Sequence, residues 1–276
     1  MKTSVEPFLR WAGGKRWLVK HLDQIIGDLK YGAYHEPFLG SGAIFFALAP
    51  PNKSYLSDLN QELIDTYIAL QTNPEAIIEK MKCLKNTKEF YYEVRGRNTR
   101  TIATKAARFI YLNQTSYNGI YRVNQNGDYN VPYGYRTKGF LEKEKLLAAS
   151  RTLQRTTLTC GDFFSTMENI KKGDLVFLDP PYTVSHNNNG FIKYNQKLFS
   201  LDDQKRLSEF IDYIRQQNAY YILTNAAHQV ILDIFEKGER RIELSRASLI
   251  GGDQAKRGAV TEYVFTNIQG GQSNVV

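Results

Sequence analysis

Apolar, β-branched runs recur along the chain at residues 33–38, 54–57, 158–160, 175–178 and 220–224, each short enough for a buried strand. Between them apolar residues return at helical spacing over Trp17–Leu29, Gly42–Ala49 and Leu201–Gln217, the last with Leu207, Phe210, Ile211 and Ile214 on one face. Strands alternating with helices predict an α/β fold, a mostly parallel sheet with helices on both faces. The C-terminal part breaks that rhythm. Arg241–Ser245 and Thr261–Phe265 are strand-like with only a Gly-rich stretch between them, which predicts a final antiparallel hairpin.

Residues 65–155 interrupt the alternation as well. They are rich in helix formers, with helices predicted over Glu75–Leu84 and Thr104–Asn113, followed by a Gly-, Asn- and Tyr-rich stretch, Ser116–Tyr135, that reads as a hairpin or an irregular loop. The pattern therefore predicts a sheet domain built from residues 1–64 and 156–276, carrying residues 65–155 as a mainly helical insertion.

At 276 residues, 42% hydrophobic and 13% aromatic, the chain can bury a full core without metal or disulfide staples. No apolar run approaches a membrane span, and Met1–Arg10 lacks the apolar core of a signal peptide. Cys83 and Cys160 stand far apart without Cys/His clustering, and His21, His35, His186 and His228 lack ligand or relay spacing, so neither a disulfide framework nor a metal site is expected. A reducing cytoplasm fits this usage. The net charge of +8 is unevenly placed: residues 65–160 hold 16 Lys and Arg against 8 Asp and Glu, while the rest of the chain holds 20 of each. Basic charge confined to one third of the chain fits the footprint of a polyanion, although an ordinary basic solvated surface gives the same count.

Glu36-Pro37-Phe38-Leu39-Gly40-Ser41-Gly42 follows the first strand and runs into a helix, as a Gly-rich cofactor loop does. It is not the dinucleotide fingerprint, because Phe45 takes the third Gly position, and a plain structural turn reads the same way. The second strand ends in Ser57-Asp58, whose carboxylate can accept hydrogen bonds from both ribose hydroxyls or cap a helix. Loop and acid together favour an adenosine-containing cofactor. Asp162-Phe163, after the third strand, can hold an adenine ring by its amino group and face, or serve as a turn Asp and a core Phe. Near the N-terminus, Phe8-Leu9-Arg10-Trp11-Ala12-Gly13-Gly14-Lys15 sets an aromatic, two glycines and a Lys before a helix. Lys15 and backbone N–H groups can bind a carboxylate there, or the segment is a Gly-containing helix start. Thr224-Asn225 stands at a strand tip and can line a pocket or form a cap.

Leu175-Val176-Phe177-Leu178 is continuously apolar and ends in Asp179-Pro180-Pro181-Tyr182. Two prolines fix the backbone and remove two N–H donors, leaving carbonyls to point into a cleft. A rigid carboxylate, an available carbonyl and a flanking aromatic suit a planar amine such as that of adenine. Its nitrogen is a poor nucleophile because the lone pair is delocalised into the ring. If Asp179 and the Pro180 carbonyl accept the two N–H protons, the nitrogen becomes more tetrahedral and can aim its lone pair at a sulfonium methyl. Tyr182 can stack on the base. No Cys adjoins the motif, and the chemistry needs no covalent nucleophile. A strand stopped by a Pro-Pro turn is the structural alternative. An adenine inside a duplex must be flipped out to reach such a pocket.

With these motifs the chain resembles the Dam-like N6-adenine DNA methyltransferases, the group with cofactor motifs first, a target-recognition insertion next and Asp-Pro-Pro-Tyr last. The resemblance runs from Pro7 to Asn267. It implies a Rossmann-like S-adenosylmethionine-dependent methyltransferase sheet with a reversed last strand and a mainly helical DNA-recognition insertion. It also implies that Trp11, Lys15, Phe38, Gly40, Gly42, Asp58, Asp162, Phe163 and Asp179 bind S-adenosylmethionine, and that Asp179, Pro180, Pro181 and Tyr182 hold the target adenine.

Tyr117–Asn124 with Asn130–Gly134 looks like the family's DNA-reading hairpin, so the resemblance sets Arg10, Tyr117, Asn118, Ile120, Arg122, Asn124 and Pro132 against double-stranded DNA. In relatives that read GATC, the aromatic at the place of Tyr117 wedges into the base stack and the Arg at the place of Arg122 reads guanine bidentately, leaving Ile120 and Pro132 for a thymine methyl. A hairpin that merely packs on the sheet is the alternative. Arg10 departs from the Lys of GATC readers and leaves the first base of the site open. Residues 187–190 read as a mobile loop that orders on DNA, and Tyr194 as a residue that seals the flipped base. A monomer in a bacterial or phage-infected cytoplasm is expected, with a cognate restriction enzyme as candidate partner. Two rivals remain. One is a methyltransferase for another amine, an RNA base or a protein glutamine, although glutamine-modifying relatives carry Asn where this chain has Asp179. The other is a catalytically silent DNA-binding module, which the full set of motif residues disfavours.

Overall fold

The computed structural model describes residues 5–137, 139–183, 199–247 and 259–269. In chain order they form α1 (Leu22–Ile26), β1 (Tyr34–Glu36), α2 (Ala43–Leu48), β2 (Ser54–Asp58), α3 (Gln61–Thr72), α4 (Pro74–Lys82), α5 (Lys88–Gly96) and α6 (Ile102–Thr115). There follow α7 (Lys143–Leu153), β3 (Thr156–Cys160), β4 (Leu175–Leu178), α8 (Leu201–Gln216), β5 (Tyr220–Ala226), α9 (Gln229–Phe235), β6 (Arg240–Ala247) and β7 (Ala259–Thr266). The chain divides into two compact units, Met1–Val19 with Leu39–Asp162 and Lys20–Phe38 with Phe163–Val276.

In the first unit β2 and β3 pair in parallel, from Ser54 opposite Thr156 to Asp58 opposite Cys160. Helices α3 to α6 each begin on a side chain that satisfies a free N–H: Asn60 accepts from Leu63, Asn73 from Ala76 and Thr87 from Phe90, while Thr101 and Thr104 cap each other reciprocally. The second half of α6, Phe109 to Thr115, is buried all round. Its polar residues are tolerated because they bond to backbone: Asn113 Nδ2 donates to Arg10 O and Gln114 Nε2 to Phe8 O, both at 2.6 Å. Tyr91, Val94, Tyr111, Leu112, Tyr129, Val131 and Tyr133 form one apolar cluster, which supports the stretch 116–135. There the chain makes a 3-10 turn at Tyr117–Gly119 and antiparallel bridges from Ser116 to Tyr133 and from Val123 to Tyr129. Of the two readings left open for it, the hairpin holds.

In the second unit the strands run β1-β4-β5-β7-β6. β1, β4 and β5 are parallel, and β7 lies antiparallel to both β5 and β6. This is the α/β architecture with a reversed last strand that the sequence predicts. Helix α8 buries Leu207, Phe210, Ile211 and Ile214 in a cluster that includes Val176, Leu178, Tyr221 and Leu223, at about 1.5–3 kcal/mol for each large apolar side chain removed from water.

The expected helix over Trp17–Leu29 does not form as one piece. The chain instead makes 3-10 turns at Lys15–Trp17 and Val19–His21 and then the five-residue α1. Neither Gly14 nor His21 offers a capping side chain, and Gly27, at φ 58°, ends α1 after little more than a turn. Strand β1 is shorter than the apolar run because Pro37 has no N–H to continue the ladder.

Candidate active site

In the first unit the Gly-rich loop is shaped by left-handed backbone at Gly40 (φ 48°) and Gly42 (φ 65°). A Cβ at Gly40 would sit 2.9 Å from Cδ1 of Trp11, so the indole packs directly on bare backbone. Asp58, at the tip of β2, accepts from Gly40 N–H through Oδ2 at 2.9 Å and from Asn60 N–H through Oδ1 at 3.0 Å. The cap of α3 is Asn60, so of the two roles open to Asp58 the helix cap is not the one it plays. Its carboxylate sets the loop, and burial raises its pKa against the lowering effect of those N–H donors. Tyr67 OH adds a bond to Gly40 O at 3.1 Å. Lys15 is buried, 4% exposed, with Nζ 3.3 Å from Gly13 O. Asp162 follows β3, and the N–H of the preceding Gly161 donates to Asp58 O at 3.1 Å. Trp11, Lys15, Gly40, Gly42, Asp58 and Asp162 thus lie in this unit.

The same unit carries the hairpin. Tyr117 is 49% exposed, and Asn118, Arg122, Asn124 and Pro132 are exposed with it, Ile120 less so. The Arg122 guanidinium is held in place by Asn130, Nε to Oδ1 at 2.6 Å and a terminal N–H to O at 2.9 Å. Asn124 Oδ1 closes the tip by accepting from the N–H groups of Asn126 (3.0 Å) and Asp128 (2.9 Å). Arg10 lies under the turn: its backbone exchanges hydrogen bonds with the Asn113 side chain, and its guanidinium donates to Ser116 O at 3.4 Å. Tyr121 stacks on Trp11 with centroids 5.7 Å apart and planes at 19°, while its hydroxyl donates to Glu62 at 2.7 Å.

In the second unit Asp179 stands half-buried at the end of β4, where Thr224 Oγ1 donates to its Oδ1 at 2.9 Å. Pro180 is buried and Pro181 exposed. The Tyr182 hydroxyl donates to Glu262 Oε2. Thr183 donates to Phe199 O and accepts from Gln204 Nε2, each at 2.9 Å, and Gln204 in turn accepts from Asn225 at 3.1 Å. Phe163 is 2% exposed and packs among Phe38 (5.3 Å), Phe199 (6.0 Å) and Phe210 (5.6 Å). That environment is the core-Phe arrangement, with the half-buried Phe38 the more accessible ring.

Residues 11–248 match the family described as D12 class N6 adenine-specific DNA methyltransferase. The chain belongs to that family. This methyltransferase is 33% identical over 278 residues to the type II methyltransferase M1.LlaDCHI of Lactococcus lactis subsp. cremoris, with 96% of each chain covered. It is 32% identical over 290 residues to the type II methyltransferase M.MjaIII of Methanocaldococcus jannaschii, over 95% of this chain and 99% of that one. A DNA adenine methylase of Vibrio cholerae is 29% identical over 222 residues, 78% of this chain and 79% of its own. The enzyme is an adenine-specific DNA methyltransferase whose reaction is N6-methylation of adenine in DNA, and it needs a methyl donor.

Among the described residues no group of three or more His, Cys, Asp or Glu could hold a metal ion, and no helix is long and apolar enough to cross a membrane. The expected loop 187–190 and Tyr194 lie outside the described residues. Sequence reasoning singled out Thr224 and Asn225 but missed Gln204 and Glu262. A signal for the second exists: Val260, Glu262 and Val264 alternate with Thr261 and Tyr263, which sets an acid on a core-facing row of a strand.

Proposed function

We propose that the methyl donor is S-adenosylmethionine and that the acceptor is an adenine flipped out of duplex DNA. The residues of the first unit suit the donor's three parts. Lys15 offers a buried ammonium to a carboxylate, Asp58 stands at a strand tip for ribose hydroxyls while holding the Gly40 backbone, and Asp162 offers an acid for the adenine amino group, with Trp11 and Gly42 as further contacts. Phe38 would contribute aromatic surface, with Phe163 behind it in the core. When bound, the donor supplies an electrophilic methyl group on a sulfonium.

The rest of the chemistry belongs to Asp179, Pro180, Pro181 and Tyr182. Asp179 and the Pro180 carbonyl accept the two N6–H protons of the adenine, which localises the nitrogen lone pair, and Tyr182 stacks on the ring. The observation that carries this reading is the Thr224 bond to Asp179 Oδ1 at 2.9 Å: the carboxylate is oriented before any substrate arrives. Residues 65–155 carry the basic excess and act as the DNA-contacting part, with Tyr117 as wedge, Arg122 on guanine, Ile120 and Pro132 on a thymine methyl, and Asn118, Asn124 and Arg10 nearby. GATC is the candidate site, with Arg10 standing where GATC readers carry Lys and leaving the first base open. The enzyme acts as a monomer in a bacterial or phage-infected cytoplasm, and its type II relatives favour a restriction enzyme of matching specificity as partner.

The test is treatment of plasmid DNA with protein and labelled S-adenosylmethionine, followed by sequencing of modified adenines. Label confined to adenines of one short sequence is expected. Asp179→Ala should abolish transfer and leave cofactor affinity largely intact; turnover by that variant at the wild-type rate removes the assigned role.

A further inference from the structure

Glu262 has no part in the mechanism above, yet it is a carboxylate with 0% exposure in the middle of a strand. Such a group is costly to bury unless its neighbours make use of it. Its location follows from the reversed direction of β7. β4 and β5 run in parallel with Leu178 opposite Leu223, so Asp179 emerges beside Thr224 at the carboxyl edge of the sheet. β7 runs the other way, with Val264 opposite Thr224 and Glu262 opposite Ala226. The early part of β7 therefore lies at the edge where the parallel strands finish, and its inward-facing acid meets the tetrapeptide there.

Three elements brace that tetrapeptide and the residue after it. Thr224 of β5 holds Asp179, Gln204 of α8 holds Thr183, and Glu262 of β7 accepts from the Tyr182 hydroxyl. The prolines at 180 and 181 already restrict the backbone before Tyr182. They do not set the rotation of the Tyr182 side chain, which the bond to Glu262 restrains. A ring free to turn must be ordered in every catalytic cycle, whereas one held in place is ordered before the base arrives.

We propose that Glu262 is a positioning residue for methyl transfer, fixing the Tyr182 ring in the plane on which the target adenine stacks. The inference rests on the assignment of Asp179 to Tyr182 as the base-holding motif.

Single-turnover methylation of duplex DNA by full-length variants tests it, together with titration of S-adenosylmethionine. Glu262→Ala is expected to slow transfer about tenfold, as for loss of one hydrogen bond to a charged acceptor. Its cofactor affinity should stay within about twofold of wild type, a loss in the chemical step and not in uniform binding. Glu262→Gln keeps an oxygen that accepts from Tyr182 and should recover to within about threefold of wild type. Tyr182→Phe should lose about as much as Glu262→Ala, and the two together no more than either, because both remove one contact. Wild-type rates in Glu262→Ala, full addition of its loss to that of Tyr182→Phe, or equal losses in the Ala and Gln variants would each overturn the proposal. If circular dichroism shows that Glu262→Ala does not fold, Tyr182→Phe decides: a tenfold fall with intact cofactor affinity upholds it, and a wild-type rate overturns it. An inactive Asp179→Ala beside a fully active Glu262→Ala rejects the role of Glu262 alone, whereas an active Asp179→Ala rejects the motif assignment beneath it.

Discussion

In the role proposed for it, on guanine, Arg122 is prepared by a neighbour. An exposed arginine ordinarily samples many rotamers, and docking it on a base edge costs that freedom; here Asn130 takes Nε through its side chain and a terminal N–H through its carbonyl. The planar fork is thereby partly ordered before DNA arrives, the condition under which a bidentate contact to guanine discriminates best. Arg122→Ala is expected to relax the preference at one base pair by about 1–3 kcal/mol while leaving the other positions ranked as before; competition among singly substituted duplexes measures it, and an unchanged profile assigns the base to another residue. Asp179, too, depends on a partner, Thr224, and Thr183 just after the motif on another, Gln204; the two differ in how far the sequence announces them. Thr224 sits at a strand tip, where function gathers, and is legible as a candidate. Gln204 is a polar residue on an amphipathic helix and reads as solvent face, because only the fold shows that it turns inward to Thr183.

At the scale of elements, the hairpin from Ser116 to Tyr135 depends on one glycine. Gly119 holds φ +64°, and a Cβ there would lie 2.5 Å from the Arg10 Cβ and 2.9 Å from its Nε. Gly119→Ala must therefore displace both the turn and Arg10. Duplex affinity, read by fluorescence anisotropy, is expected to fall at least about tenfold with helical content unchanged, the consequence of a backbone that L residues resist and of a misplaced cation. Affinity equal to wild type would show that Arg10 and the turn contribute nothing to binding. The sequence shows a Gly-, Asn- and Tyr-rich stretch here, but not the dependence of its turn on a residue more than a hundred positions away. The same distinction runs through the fold. Strands β2, β4 and β5 and helix α8 follow from local periodicity, because each buries one face or run, whereas β3 forms with none of its residues buried. The segment Trp17–Leu29 has suitable apolar spacing, but without caps it breaks into short turns. Helices α5, α7 and α9 are short, α5 capped by Thr87, α7 without a capping side chain and α9 capped by His228, and tertiary packing supplies what their own sequences do not. Residue 65, chosen by composition as the start of the insertion, falls inside α3, since a change in charge density need not coincide with the end of a helix.

Two properties belong to the whole molecule, its response to acid and its response to salt. Asp174 is buried and accepts from Ala33 N–H at 2.8 Å and Lys171 N–H at 2.9 Å, with His35 Nε2 at 2.9 Å. Burial pushes its pKa up, but the hydrogen bonds from His35, Lys171 and Ala33 outweigh it, and the net shift is down. A carboxyl depressed in the folded state contributes stability that is fully present above its unfolded pKa, about 3.9, and is lost as pH falls through the folded value. Asp174→Asn should lower stability at neutral pH by about 1–3 kcal/mol and flatten the decline below pH 4; urea midpoints at neutral and acidic pH check both, and parallel wild-type and variant profiles remove Asp174 from the acid response. Salt acts through a different set of charges. In the second unit cations are matched by acids, as in Lys237 with Asp212 (2.8 Å), Arg215 with Glu239 (2.9 Å) and Arg241 with Glu236 (2.9 Å), whereas residues 65–160 hold twice as many Lys and Arg as Asp and Glu. An unmatched basic excess binds phosphates by releasing condensed counterions, so the logarithm of affinity falls by about 0.9 per neutralised phosphate for each tenfold rise in salt. If the excess engages six or more phosphates, duplex affinity should drop by roughly a thousandfold between about 50 and 200 mM salt. Lys237→Gln removes a cation already matched by Asp212 and should leave that slope unchanged. A slope near zero, or one that Lys237→Gln reduces as much as a substitution of Arg122 does, would place the electrostatic contact with DNA outside the basic segment.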